Sequence, residues 1–344
     1  MSIMQSARST LAATALMAGV AAPAFAQPAV LEAGTQKFID AVTAAGGPPI
    51  YTLSPAAARN VLAGAQAGPV DKLPASISEA TLPVGPTGKV HVRIVRPESA
   101  GSAALHPVMY FHGGGWVLGD AATHDRLVRE IATGADAAVV FVEYDRSPEA
   151  QYPVPIEQAY AATKYVAEHG AALNLDPSRL AVAGDSVGGN MAAAVTLMAK
   201  QRGGPRIDYQ VLFYPVTDAN FDNGSYTRFA DGPWLTKKAM EWFWNAYLPD
   251  VAARKQPMAT PLNASLDQLK GLPEALVITD ENDVLRDEGE AYARRLNAAG
   301  VRVTSTRYNG TIHDFVMLNG ISQTPAARAA IAQANAALHQ ALHP

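Results

Sequence analysis

Four stretches of this chain carry residue types whose spacing suits nucleophilic catalysis. In "LAVAGDSVGGNMAAA" an apolar run ends at Gly184, Ser186 sits in a glycine-rich turn, and an alanine-rich stretch begins at about Val187. A strand, a tight turn and a helix in that order are what a G-x-S-x-G elbow requires. Small neighbours let the turn be sharp, and the hydroxyl stands clear of the sheet beside a helix N-terminus, where a developing anion is favoured. A bare G-x-S-x-G arises often by chance, so the partners decide. In "YFHGGGWVLGD" (110–120), His112 and three glycines follow directly on a strand-like run. Backbone N–H groups unencumbered by side chains, with the amide of Val187, could hold a tetrahedral oxyanion. No "GK[ST]" follows this loop, which argues against a phosphate cradle, and "GPTGK" at 85–89 reads as a hairpin turn.

Serine is a weak nucleophile at its own pKa, so it needs a base, and the base needs an orienting acid. The chain has eight histidines. His313, in "YNGTIHDF", comes just after the last strand-like run and completes the chain order Ser, Asp, His. His112 belongs to the glycine loop, His91 lies within a strand pattern, and His339 and His343 are close to the chain end. His106, His124 and His169 have no comparable setting. For the acid, "VITDENDVLRDEGEAYA" offers Asp280 near a strand end and Asp283 in the loop beyond it, and spacing leaves both open. Asp287 reads as a first-turn residue of the next helix.

These loops need a scaffold that brings them to one rim. "KVHVRIV" (89–95) alternates as a strand with one wet face would. "PVMYF", "AAVVFV", "LAVAG", "VLFY", "ALVIT" and "VRVTSTRY" follow as further strands, several apolar throughout. Helical stretches such as "IEQAYAATKYVAEHG", "GNMAAAVTLMAKQ" and "EGEAYARRLNAAG" separate them. That alternation predicts a mostly parallel sheet with helices on both faces, and ligands at the carboxyl ends of the strands. Residues 27 to about 82 read as helix and turn. Residues 218–258 interrupt the alternation with an aromatic-rich insert holding Trp234, Phe243 and Trp244, which either pack in the core or face a substrate. With residues 27–75, this insert is expected to form a lid.

"HGGGW", "GDSVGGN", "DVLRDEG" and "HDF", in that order and together with "YDRSPEAQYPVPIEQAY" (144–160), resemble the hormone-sensitive-lipase-like family (bacterial family IV) of α/β-hydrolase esterases. The resemblance runs from about residue 85 to the chain end. It implies an α/β-hydrolase fold, with a mostly parallel eight-stranded sheet flanked by helices and a helical cap. It also implies Ser186 as nucleophile, His313 as base and Asp283 rather than Asp280 as acid, with Gly114, Gly115 and the Val187 amide forming the oxyanion hole. His112 would hold the glycine loop without transferring a proton. No metal or organic cofactor is implied, and the substrate is a small-molecule ester with a short or medium acyl chain. Three departures stand out: Val187 replaces the usual alanine, which bears on the size of the acyl pocket, Val284 replaces the usual proline, and "YDRSPEAQYP" stands where "YRLAPEHPFP" is typical. An amide or peptide hydrolase, or a non-catalytic receptor lacking a working base, are the rival readings on the same fold.

Composition agrees with a folded domain. Of 344 residues 49% are hydrophobic and 17% charged, enough for a full core, and the net charge of −4 comes with scattered lysines and arginines that make nucleic acid an unexpected partner. With no cysteine there is neither a disulfide nor a thiolate nucleophile. Residues 1–26 read as a signal peptide cut after Ala24-Phe25-Ala26, so the mature chain is expected to start at Gln27, in the periplasm or outside the cell. No later segment reaches the ~18 consecutive apolar residues of a membrane span. The oligomeric state, a homo-oligomer included, is left open.

Overall fold

Runs rich in β-branched and aromatic residues, bounded by turn formers, supply eight strands: β1 (Ala75–Leu82), β2 (Val90–Pro97), β3 (Pro107–Phe111), β4 (Ala138–Glu143), β5 (Ala181–Asp185), β6 (Tyr209–Phe213), β7 (Glu274–Asn282) and β8 (Val303–Ile312). This is a computed structural model; it describes residues 29–344, so the expected signal peptide at 1–26 lies outside the described residues. The strands form one sheet in the order β1-β2-β4-β3-β5-β6-β7-β8. β2 runs antiparallel to β1 and β4, and every other pair is parallel. Every residue of β3, β5 and β6 is buried, because a parallel sheet is covered on both faces.

β1 corrects the expectation of helix and turn up to residue 82. Most of its side chains are exposed and only Leu82 is buried, so "ASISEATL" carries no apolar face for a pattern to reveal. Its backbone ladder holds it instead: it pairs with β2 from Ala75↔Pro97 to Leu82↔Val90, across the turn expected at 85–89.

Ten helices complete the described chain: α1 (Ala33–Ala45), α2 (Pro55–Gln66), α3 (Asp125–Ala135), α4 (Val154–His169), α5 (Val187–Arg202), α6 (Gly224–Arg228), α7 (Lys237–Tyr247), α8 (Leu266–Leu269), α9 (Arg286–Ala298) and α10 (Pro325–Leu342). Ser54, Thr236 and Thr324 accept N–H bonds as caps of α2, α7 and α10, and prolines open α2 and α10, where no intrahelical N–H is needed. In α5 every residue from Val187 to Ala199 is buried, and its alanines let it lie close to the sheet. Asp287 and Glu288 fall in the first turn of α9, as expected of acidic residues there. The insert at 218–258 holds α6, α7 and no strand, and α1 and α2 occupy the other irregular region. Among the described residues no helix is long and apolar enough to cross a membrane.

Candidate active site

Where β5 meets α5 the chain turns so tightly that Ser186 takes φ 55° and ψ −119°, a conformation that costs a non-glycine residue about 1–3 kcal/mol. Three backbone bonds hold it there. The Ser186 N–H donates to the Phe213 carbonyl at 2.9 Å, and its own carbonyl accepts from Asn190 and Val216, each at 3.1 Å. The flanking glycines are sterically required: a Cβ at Gly184 would overlap the Gly188 backbone, and one at Gly188 would overlap the Phe111 carbonyl.

From the loop after β8, His313 places Nε2 2.9 Å from Ser186 Oγ. Its Nδ1 lies 2.8 Å from Asp283 Oδ2. All three side chains are buried. The two candidate acids separate here, since Asp280 Oδ2 stands 3.9 Å from the same nitrogen. Burial disfavours the charged imidazolium, but the carboxylates of Asp283 and Asp314 and the hydrogen bond to Asp283 outweigh it and raise His313 to about 9. Arg126 fixes the segment after His313: its guanidinium donates to the carbonyls of Val316 at 2.6 Å and Met317 at 2.9 Å, while pairing with Glu130 at 2.7 Å.

The glycine loop after β3 lies against the elbow. Gly114 and Gly115 have φ of 103° and 64°, open to glycine and strained for other residues. Among the described residues, the N–H groups of Gly114, Gly115 and Val187 meet no protein acceptor; Val187 is the first residue of α5, where none is available within the helix. His112 stacks on Tyr144 at 4.2 Å, with Nδ1 2.8 Å from the Gly113 carbonyl. Burial and the nearby positive His124 lower its pKa to about 3, so it is a neutral prop for the loop.

Sequence reasoning passed over the group that ties this loop to the elbow. Asp185, the residue before the serine, accepts from the Gly113 N–H at 3.0 Å and the Tyr110 hydroxyl at 2.7 Å, and faces His124 Nε2 at 3.3 Å. Both charged side chains are fully buried. Burial opposes each charge, yet their attraction prevails, so Asp185 is lowered and His124 raised. The available signal was Asp185 itself, since a carboxylate buried behind an elbow needs a partner.

Residues 108–317 match the alpha/beta hydrolase fold family. The chain belongs to that family. The hydrolase is 42% identical over 240 residues to carboxylesterase NlhH of Mycobacterium tuberculosis, covering 70% of this chain and 75% of that one. It is 41% identical over 260 residues to esterase LipI of the same organism, covering 75% and 80%. Among solved structures, a thermostable esterase from Pseudomonas putida superposes with a TM-score of 0.90 at 53% identity, covering 92% of this chain and 99% of that one.

Ser186, His313, Gly114 and Gly115 open onto a cavity of about 490 Å³ in the hydrolase. Its other walls come from both irregular segments, with Val42, Ile50 and Leu62 from one and Trp234, Met240 and Phe243 from the other. The aromatic insert therefore divides: Trp234 and Phe243 face the cavity, whereas Trp244 is fully buried against Trp116 at 4.8 Å. Val187, whose bulk bore on the expected acyl-pocket size, is fully buried and is not among the residues that line the cavity. A larger cleft, about 780 Å³, lies at the amino ends of β6 to β8 with its arginines paired to Asp208 and Glu274, far from this chemistry. Ligand atoms of Asp280, Asp283 and His313 lie within 4.8 Å of one another, a spacing a metal ion could use, but the Nδ1 and Nε2 atoms are already engaged by Asp283 and Ser186.

Proposed function

We propose that this hydrolase cleaves carboxylic esters of short to medium acyl chain through an acyl-enzyme. Ser186 Oγ attacks the ester carbonyl while His313 Nε2 takes its proton, and the N–H groups of Gly114, Gly115 and Val187 receive the negative charge on the carbonyl oxygen. His313 then gives the proton to the leaving alcohol, and water repeats the sequence to release the acid. Asp283 holds the imidazole in the tautomer that keeps Nε2 free to accept. The reading is carried by the 2.9 Å and 2.8 Å contacts that join serine, histidine and aspartate on the wall of an apolar cavity. The relatives named carboxylesterase and esterase support it. A cavity of about 490 Å³ falls in the lower half of the ~300–1,000 Å³ of small-molecule sites, which favours modest acyl groups. A receptor reading loses its ground where the base stands in hydrogen-bond contact with the serine.

Purified protein given nitrophenyl esters of graded acyl length is expected to peak at short or medium chains and to lose turnover as Ser186→Ala. A preference for matched amides over esters would assign the site to amide hydrolysis instead. We further propose export with cleavage before Gln27, on the pattern of residues 1–26. Amino-terminal sequencing of the protein from a periplasmic or culture fraction is expected to read Gln27 first, and an intact Met1 would refute this.

A further inference from the structure

Asp280 is a buried carboxyl group that the chemistry above does not use. It sits where the β7–β8 ladder shifts register between Asp280 and Asn282, and its Oδ2 lies 3.9 Å from His313 Nδ1. The residue is fully buried, and among the described residues neither carboxyl oxygen has a hydrogen-bond donor. An uncompensated buried carboxylate costs several kcal/mol, so its surroundings must account for its presence. Asp283 faces it from the loop after β7, His313 and Asp314 from the loop after β8, and the phenol of Tyr214 from the end of β6. Two carboxyl groups this close do not both ionise. Burial, followed by the negative charges of Asp283 and Asp314, holds Asp280 well above the usual carboxylate range, so the proton of the pair resides on Asp280. A protonated carboxyl is a donor, and the acceptor beside it is Asp283.

We propose that Asp280 is a positioning residue that acts through Asp283, and that it stands in for Asp283 when that carboxylate is removed. The proposal rests on the serine-esterase reading. In the intact protein the Asp280 O–H donates to Asp283, which fixes the carboxylate against His313 Nδ1. Without Asp283, the charge that keeps Asp280 protonated is gone. Asp280 then releases its proton to solvent, closes the 3.9 Å gap and accepts the Nδ1–H of His313. Nε2 remains free to take the serine proton, so no further co-reactant is required.

The test compares turnover of a short-chain nitrophenyl ester by the wild type, Asp283→Ala, Asp283→Ala with Asp280→Asn, and Ser186→Ala. Loss of a triad aspartate without replacement costs about 10⁴-fold in kcat. The expected result is a loss of only about 10²-fold for Asp283→Ala, with the double variant falling to the full ~10⁴-fold. A single variant already at the full loss, with the second substitution adding nothing, would overturn the stand-in role. Should the double variant fail to fold by circular dichroism, the low-field Nδ1–H proton resonance of His313 in Asp283→Ala decides: its persistence is expected, and its disappearance refutes the proposal. Activity in Ser186→Ala would instead refute the esterase reading itself, a separate outcome.

Discussion

The wall of the cavity that carries Ser186 and the wall formed by the two irregular segments are built differently. The first is specified by absent side chains: glycines at 184, 188, 114 and 115 stand where a Cβ would strike neighbouring groups, and a buried His124–Asp185 pair backs the loop. The second consists mostly of apolar side chains from α1, α2, α7 and the loops around them, with Val42 and Val61 partly in solvent at 39% and 47% exposure. It is fastened to the first at a few points. Arg59 donates to the carbonyls of Val117 and Ser147 and pairs with Glu149, and Gln66 donates to the carbonyls of Thr123 and Met317. Change on the first side therefore bears directly on the chemistry, while the second meets the reacting groups at Phe243 against Gly115 and at Trp234 against Asp314. The family match, residues 108–317, leaves out α1 and α2 of the second wall but includes α6 and α7.

That contrast can be broken by substitution. Ser186→Ala is expected to lower kcat by about 10⁶-fold with an unchanged thermal midpoint, because the nucleophile has no substitute. His124→Ala leaves Asp185 buried without its charge partner and is expected to cost about 3–5 kcal/mol in denaturant unfolding, together with activity as the Gly113 anchor loosens. Gly115→Ala drives a methyl into the ring of Phe243 and is expected to lower kcat by about 10²-fold or more through a displaced oxyanion donor. Adding Phe243→Ala should restore part of that loss, since the clash is with a side chain, and no rescue would mean that strain at φ 64° is the whole cause. On the cap wall, Trp234→Ala is expected to change KM by roughly 10-fold or less and to leave kcat nearly intact, the scale of one aromatic contact of ~1 kcal/mol.

The pH profile sharpens the same comparison, because Asp314 belongs to both walls. Its Oδ2 accepts from the Trp234 indole at 3.0 Å, and its Oδ1 lies 3.5 Å from His313 Nε2. The base works only when neutral, and its pKa is raised to about 9, so kcat/KM is expected to fall as pH drops below that value rather than below the ordinary imidazole range near ~6.5. Asp314→Asn removes one of the charges that raise it, so the acid limb should move to lower pH. A limb that stays in place would show that Asp283 alone sets the base.

Much of the reacting side was legible without coordinates. The elbow at 184–188, the glycine loop at 112–115 and a histidine after the last strand are local signals, since a sharp turn between strand and helix writes its demands into adjacent residues. The doubly wound architecture was legible for a similar reason, through apolar runs that only a sheet covered on both faces produces. What escaped were relations between distant segments: an exposed edge strand at 75–82 held by its ladder to β2, the choice of His124 as partner for Asp185, and the burial of Trp244 beside a cavity-facing Trp234.

The amino-acid sequence by itself determined the kind of chemistry and the order in which its parts occur, because turn geometry and hydrophobic periodicity act between near neighbours. Only the tertiary structure decided the contact itself: spacing left Asp280 and Asp283 open and the family resemblance implied Asp283, but their 3.9 Å and 2.8 Å separations from His313 Nδ1, across the ends of β7 and β8, exist only in the fold. Such a contact depends on strand pairing, and strand pairing is a relation between distant segments that neither segment records alone.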